Sequence, residues 1–276
     1  MSVPYVIFLR SFNMTLSPQI ILQNLKFHTP DNHDIFRDLT TTFSCCKIGI
    51  VGKNGSGKTT LLKLISGELI YNAGSINVSG TFTTCPQDFT SLLNATVAEV
   101  LGIKEKLQAL ENIASGSTDE RDFAVLNEDW LIKERLQQKL ASLGLGNIDL
   151  TRPLSSLSGG EITRLFLARV FFTESDFILL DEPTNNLDLM SKQLLYGVIK
   201  NWTKGLLVVS HDREFLELMD QIVELTSHGI KTYGGNYSFY CEQKNIMQEA
   251  GARALDDAEK LLQKKPAQCA NSTRKK

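Results

Sequence analysis

The stretch that most restricts what this chain can become is Gly52-Lys53-Asn54-Gly55-Ser56-Gly57-Lys58-Thr59-Thr60, a G-x-x-x-x-G-K-[ST] pattern. Its setting matters as much as its letters. An almost wholly apolar run, Lys47–Val51, leads into it, and a helical pattern over Thr59–Leu69 leaves it. Strand, glycine-rich turn and helix in that order form a cradle for a phosphate chain. The turn frees backbone N–H groups, and the helix start adds the positive end of its dipole. Lys58 is placed to neutralise β- and γ-phosphates, and Thr59 to offer its hydroxyl to Mg2+. A strand this apolar belongs in a sheet covered on both faces, so the motif also points to an α/β fold.

Other short apolar and β-branched runs fit the same plan: Ile20–Phe27, Phe82–Cys85, Phe177–Asp181, Leu206–Ser210, Ile222–Leu225 and Gly229–Tyr233. Helical patterns lie between several of them, which predicts a layered sheet with some antiparallel strands toward the start. From about Leu92 to Leu145 the chain changes character. Charge-rich helical patterns at Thr96–Ile113 and Asp119–Leu143 flank a Ser/Gly loop at Ala114–Thr118. No strand is expected there, so this segment reads as a helical subdomain inserted into the α/β core. From Tyr237 onward the chain is again helical and increasingly polar. Residues Ala252–Lys276 hold seven Lys/Arg against three Asp/Glu, with Pro266 interrupting the pattern. The expected organisation is an extension over 1–17, a nucleotide-binding domain over 18–240 that includes the insert at about 92–145, and a polar linker-like tail over 241–276.

A second chemical site follows at Phe177-Ile178-Leu179-Leu180-Asp181-Glu182. Four apolar residues and then two carboxylates describe a buried strand ending at a sheet edge, where P-loop enzymes keep acids for metal and water. Asp181 is the candidate Mg2+ ligand, with Thr59. Glu182 is placed to orient or deprotonate an attacking water. A third site is Leu157-Ser158-Gly159-Gly160-Glu161. Ser158 caps a helix and two glycines leave its first amides bare, which makes a second anion site.

These motifs together resemble the ABC ATPases, and they run in the family's order over about residues 20–240. The resemblance implies the family's fold: a mixed sheet core, an antiparallel β subdomain and an inserted helical subdomain. It makes Ser158, Gly159, Gly160 and Glu161 the signature that one domain offers to the γ-phosphate of a nucleotide held by the opposite domain. By the same resemblance Gln87 is the Q-loop glutamine that senses Mg2+ and water, and Asn186-Leu187-Asp188 is the D-loop crossing the dimer interface. His211 is the switch histidine at the γ-phosphate. The aromatic that stacks on adenine is expected near Phe27–Thr29, with Phe27, His28 and Phe36 as candidates. ATP and Mg2+ are the implied ligands, and hydrolysis of ATP to ADP and phosphate the implied reaction.

Finer details resemble the ABC-F class: the paired asparagines of Glu182-Pro183-Thr184-Asn185-Asn186-Leu187-Asp188, the run Ser210-His211-Asp212-Arg213-Glu214-Phe215-Leu216, and Tyr233-Gly234-Gly235-Asn236-Tyr237. That class has two ATPase domains in one chain joined by a basic helical linker, and many members bind the ribosome. A single domain is present here, so the second is expected from an identical copy or a paralogue. The basic tail is the candidate contact for ribosomal RNA. The alternatives are the ATP-binding subunit of an ABC transporter, and a nucleotide-binding fragment without turnover.

Composition sets outer limits. The chain is 42% hydrophobic and 22% charged over 276 residues, with net charge −2 and pI about 6.1. That allows a sizeable core and excludes a surface that is basic throughout, so a polyanion could be met only through a local patch. Five scattered cysteines form neither a C-x-x-C pair nor a metal set. No run approaches the ~18 apolar residues of a membrane span, and Val3–Leu9 lacks the basic flank of a secretory signal. The expected compartment is the cytoplasm, without membrane insertion.

Overall fold

The computed structural model describes residues 17–264, apart from 86–91, 174, 186 and 227–228. Two sheets form its frame. In the first, β1 (Gln19–His28) lies between β2 (Asp34–Ser44) and β4 (Ala73–Ser79), antiparallel to both. Ile20, Leu22 and Leu25 of β1 are fully buried. The spacing of two becomes three because Asn24 takes a left-handed conformation, φ 49°, and the ladder shifts register there. Asn24 N–H donates to Thr40 Oγ1 at 2.9 Å, which fixes the irregularity. Neither β2 nor β4 was among the expected strands. Both are rich in polar residues and turn few side chains inward, so periodicity alone does not reveal them.

The second sheet has six strands in the order β5 (Phe82–Thr84), β6 (Phe177–Asp181), β7 (Gly205–Val209), β3 (Lys47–Val51), β8 (Gln221–Thr226) and β9 (Gly229–Gly234). The first five are parallel, and β9 pairs antiparallel to β8. Alternation along β6 and β7 divides the core in two. Phe177, Leu179, Leu207 and Val209 pack with the antiparallel sheet and with α1 (Lys58–Ser66). Ile178, Leu180, Leu206 and Val208 face the other side. There they meet α6 (Gly159–Phe172), α7 (Leu189–Lys200) and α8 (Arg213–Leu216). Strands coated on both faces in this way are what the apolar runs required.

Between β5 and β6 the described residues hold helices and no strand. The expected two helical stretches are four: α2 (Val97–Val100), α3 (Lys104–Ala114), α4 (Glu120–Leu126) and α5 (Ile132–Ser142). The second stretch breaks because Asn127 and Glu128 both adopt positive φ, 48° and 60°. The first breaks where Thr96 starts α2 with a capping box to Glu99 and the chain turns before Lys104. Leu136, Leu140, Leu143, Val97 and Val100 pack on Leu165 and Phe166 of α6, forming a third cluster. The last element, α9 (Tyr237–Lys264), is one continuous helix, so the position 240/241 lies inside it. Residues 1–16 and 265–276, the extension and the end of the tail, lie outside the described residues.

Leu207 is 1% exposed at the junction of the six-stranded sheet with α1. Leu207→Ala should therefore cost about 2–5 kcal/mol of stability. Urea unfolding read by circular dichroism measures that loss.

Candidate functional site

Three adjacent parallel strands deliver the site. Val209 of β7 is the register partner of Asp181 on one side and of Ile50 on the other. The ends of β6, β7 and β3 are therefore level, and whatever follows them shares one sheet edge.

After β3 comes the phosphate loop. Ser56 N–H donates to Lys53 O at 3.1 Å and Leu61 N–H to Gly57 O at 2.8 Å, which closes the turn onto α1. Gly57 has φ 94°, and a Cβ there would lie 2.5 Å from Ile35 Cγ2 and 2.9 Å from Phe36 Cζ. Only glycine fits that position. No side chain caps α1, so its first amides remain available to an anion. Lys58 is 8% exposed and donates to the carbonyls of Gly52 (3.0 Å) and Lys53 (3.2 Å). The ammonium thus lies over the loop's own mouth. Ser56 Oγ is buried in the same turn with no hydrogen-bond partner among the described residues.

After β6 come Asp181 and Glu182. Asp181 sits beside the Thr59 hydroxyl, and burial raises its pKa against the opposing pull of that hydrogen bond, Lys63 and Lys58. Glu182 takes φ 48°, a conformation costly for a residue with a side chain. Two backbone bonds hold it: its N–H donates to Val209 O at 2.8 Å and its carbonyl accepts from Asn185 N–H at 3.1 Å. Its carboxylate turns to the end of β7, where His211 N–H donates to Oε2 at 3.4 Å and His211 Nε2 stands 3.5 Å from Oε1. Burial raises the Glu182 pKa, with His211 opposing. Strand β7 ends at Val209, so buried Ser210 and exposed His211 lie just past it, at the sheet edge. Thr59 and Asp181 give hard oxygen donors on adjacent elements, the set Mg2+ prefers. The residues present fit that ion.

The signature segment stands apart. Ser158 and Glu161 form a complete capping box at the start of α6. Ser158 N–H and Oγ–H each donate to Glu161 Oε2 at 2.8 Å, and Glu161 N–H returns to Ser158 Oγ at 3.3 Å. No hydrogen bond or ion pair ties this segment to the phosphate loop among the described residues. Among the described residues a Cβ built on Gly159 or Gly160 meets nothing within 4 Å, and neither has a positive φ. Leu187 is buried, and Asp188 caps α7 by accepting from Ser191 N–H at 2.8 Å. Gln87 and Asn186 lie outside the described residues. Among the aromatic candidates, Phe36 is 5% exposed beneath Gly57 and offers no stacking face. Phe27 is half-buried and His28 exposed.

Two supporting groups were not anticipated from the sequence. Arg164 of α6 donates to Ser191 Oγ at 3.1 Å, which ties the signature helix to the cap of α7. Asp212 accepts from Lys192 Nζ and Tyr196 OH, both at 2.8 Å, and from Phe215 N–H at 3.2 Å. That cluster holds the segment after His211 against α7. The i,i+4 spacing of Lys192 and Tyr196 was the available signal.

A phosphate loop on a parallel sheet, an Asp-Glu pair beside it and a glycine-bearing capped helix define a P-loop nucleotide-binding domain of the ATP-binding-cassette kind. The family model described as "ABC transporter" matches residues 38–185, over half of the chain, so the chain belongs to this family; its relatives place it in the ABC-F class. It is 36% identical over 210 residues to "Probable ATP-binding protein YheS" of Escherichia coli K12, covering 72% of this chain and 33% of that one. It is 32% identical over 251 residues to "ABC transporter F family member 5" of Arabidopsis thaliana, covering 78% and 36%. The chain thus spans about a third of the length of these relatives. Among solved structures, a nucleotide-free ATP-binding cassette from an ABC transporter superposes with TM-score 0.61 at 19% identity, over 84% of this chain and 96% of that one. A bacterial Atm1-family ABC exporter with ATP bound gives 0.65 at 17%, over 92% and 44%. At such identities the likeness is one of fold. No helix among the described residues is long and apolar enough to cross a membrane.

Hydrogen bonds from Ser158 hold the Glu161 carboxyl below its ordinary pKa, the backbone donor first. Stability from a lowered carboxylate is present above the unfolded value and is lost as pH falls through the folded one. Ser158→Ala should cost roughly 1 kcal/mol at neutral pH, and the gap to wild type should narrow in acid below the ordinary glutamate range. Urea titrations at the two pH values measure this.

Proposed function

We propose that this chain binds ATP with Mg2+ and hydrolyses it in a dimer, each nucleotide lying between the phosphate loop of one domain and the signature of another. The second domain is an identical copy or a paralogue, and the assembly acts on the ribosome as a translation or ribosome-protection factor. In this reading residues 18–240 are the ATP-binding domain with 92–145 as its helical insert, and 241–276 the linker-like tail.

The observation that carries the reading is the state of Gly159 and Gly160. Among the described residues nothing requires glycine at either place, yet the two lie at an exposed helix start, where a side chain would stand between the amides and an approaching anion. A phosphate presented from outside explains both. Within the chain, Gly52–Thr60 cradle the phosphates and Lys58 offsets the charge of the β- and γ-groups. Thr59 and Asp181, with Gln87, would hold Mg2+, which would neutralise phosphate charge. Glu182 accepts a proton from the attacking water as its oxygen approaches the γ-phosphorus, and the bond to the leaving ADP oxygen breaks. His211 holds that carboxylate and reaches toward the γ-phosphate. Asn186, Leu187 and Asp188 line the dimer junction. Positioning and charge neutralisation are most of what phosphoryl transfer needs. The tail's excess of basic residues supports a polyanion contact, and membership of the F class supports the ribosome as the place of action.

Glu182→Gln should lower turnover by about 10²-fold or more and trap the closed dimer with ATP; wild-type turnover in that variant would remove Glu182 from its role. Because burial raises the Glu182 pKa, wild-type turnover should fall in acid at a pH above the ordinary glutamate range, as the base becomes protonated. The trapped variant with ATP should sediment with ribosomes, and its absence from the pellet would sink the ribosomal part alone. Sharing of sites between copies has its own test. Lys58→Ala and Gly160→Trp chains, each inactive alone, should regain part of the ATPase rate when mixed, because one composite site is then intact; no gain on mixing would leave the identical-copy dimer unsupported.

A further inference from the structure

Glu224 of β8 is a mostly buried carboxylate on which two other elements converge. Tyr233 of β9 donates its hydroxyl to Oε2 at 3.2 Å, and Lys244 of α9 forms an ion pair with Oε1. Lys244 also donates to Tyr240 OH at 2.8 Å, and the rings of Tyr233 and Tyr240 meet edge to face at 5.0 Å. The first turns of α9 are therefore fastened to the sheet at one point. Glu224 is the register partner of Val51, the last residue before the phosphate loop. The next carbonyl, Leu225 O, presses against Gly52: a Cβ there would lie 2.4 Å from it. Gly52 in turn gives its carbonyl to Lys58 Nζ at 3.0 Å. One strand end thus touches α9 on one side and the anchor of the phosphate-binding lysine on the other.

We propose that α9 and the phosphate loop are coupled through Glu224, so that Lys244 and Glu224 are positioning residues for the nucleotide. The proposal rests on the reading of Gly52–Thr60 as the ATP site. Removing the Lys244 charge strips a largely buried carboxylate of its ion-pair partner. The end of β8 then moves to rehydrate Glu224, and it carries the carbonyl that packs on Gly52. Coupling of this kind is reciprocal: whatever factor Lys244 contributes to nucleotide affinity, nucleotide returns to the docking of α9.

The test compares the full-length chain with its Lys244→Met, Lys244→Arg and Lys231→Met variants. Lys231, the register partner of Glu224 on β9, lies against Met247 Sδ of α9 and over the Tyr233 ring and forms no ion pair with the carboxylate among the described residues, so it controls for loss of an α9 contact as such. Calorimetric titration with a non-hydrolysable ATP analogue and Mg2+ should show affinity weakened on the order of tenfold in Lys244→Met. Lys244→Arg and Lys231→Met should keep the wild-type value. Steady-state assays should place the Lys244→Met defect in KM, with kcat little changed, where general loosening of the fold would lower both. In the wild-type chain the analogue should slow amide exchange across residues 237–247, a readout that needs no variant. Wild-type binding by Lys244→Met, or exchange over 237–247 indifferent to the analogue, would overturn the coupling. A wild-type chain that bound no analogue at all would instead overturn the nucleotide site and the coupling with it.

Discussion

In a parallel sheet every strand runs out at the same edge, and the loops that follow are held as firmly as the strands are buried. In this chain β6, β7 and β3 are five residues each, apolar apart from Lys47 at the start of β3 and Asp181 at the end of β6, and level with one another through Val209. Their hydrogen-bonded alignment brings residues 52, 182 and 211 to one edge. Phosphate loop, acid pair and histidine are each unremarkable peptide segments elsewhere. They become a site because three buried strands have no freedom to slip: a shift by one residue would exchange the two core faces along β6 and β7.

The same burial sets the electrostatics. Asp181 and Glu182 lie where the dielectric falls, so both carboxyls are pushed upward in pKa, and the cations and donors nearby only partly oppose this. Lys58 satisfies its ammonium on backbone carbonyls rather than on either acid. Lys58 therefore forms no ion pair with either acid and acts on both only through space, lowering their pKa values against the effect of burial. The left-handed Glu182 serves the same end. Its strained backbone is held by β7 and Asn185, and turns the carboxylate toward His211 rather than toward the loop.

Much of this was legible beforehand because buried parallel strands and glycine-rich turns have strong local signals. Lys47–Val51 and Phe177–Asp181 were read with the bounds they adopt. Strands β2 and β4 are not legible in this way, because a sheet with one face in water tolerates polar residues and both strands turn few side chains inward. The break at Asn127 and Glu128 was missed for a different reason: neither residue is glycine or proline, and two successive positive φ values depend on tertiary packing. Supporting contacts such as Arg164 to Ser191 and Lys192 to Asp212 join residues 27 and 20 positions apart. The i,i+4 spacing puts Lys192 and Tyr196 on one face of α7, but which residue meets them is decided by the crossover geometry.

The signature and the phosphate loop show how unequally a single chain explains its own residues. Gly57 needs no outside cause, since Ile35 and Phe36 leave no room for a Cβ and its φ excludes most side chains. Gly159 and Gly160 have neither reason. Among the described residues their surroundings are open and their backbone is ordinary, and alanine is the better helix former, by less than the ~1 kcal/mol of a helix interior because the two are the first residues of α6. A folding argument alone would replace both. Their place at the start of a capped helix leaves the first amides of α6 open to an anion, and no hydrogen bond or ion pair joins that end to the phosphate loop among the described residues.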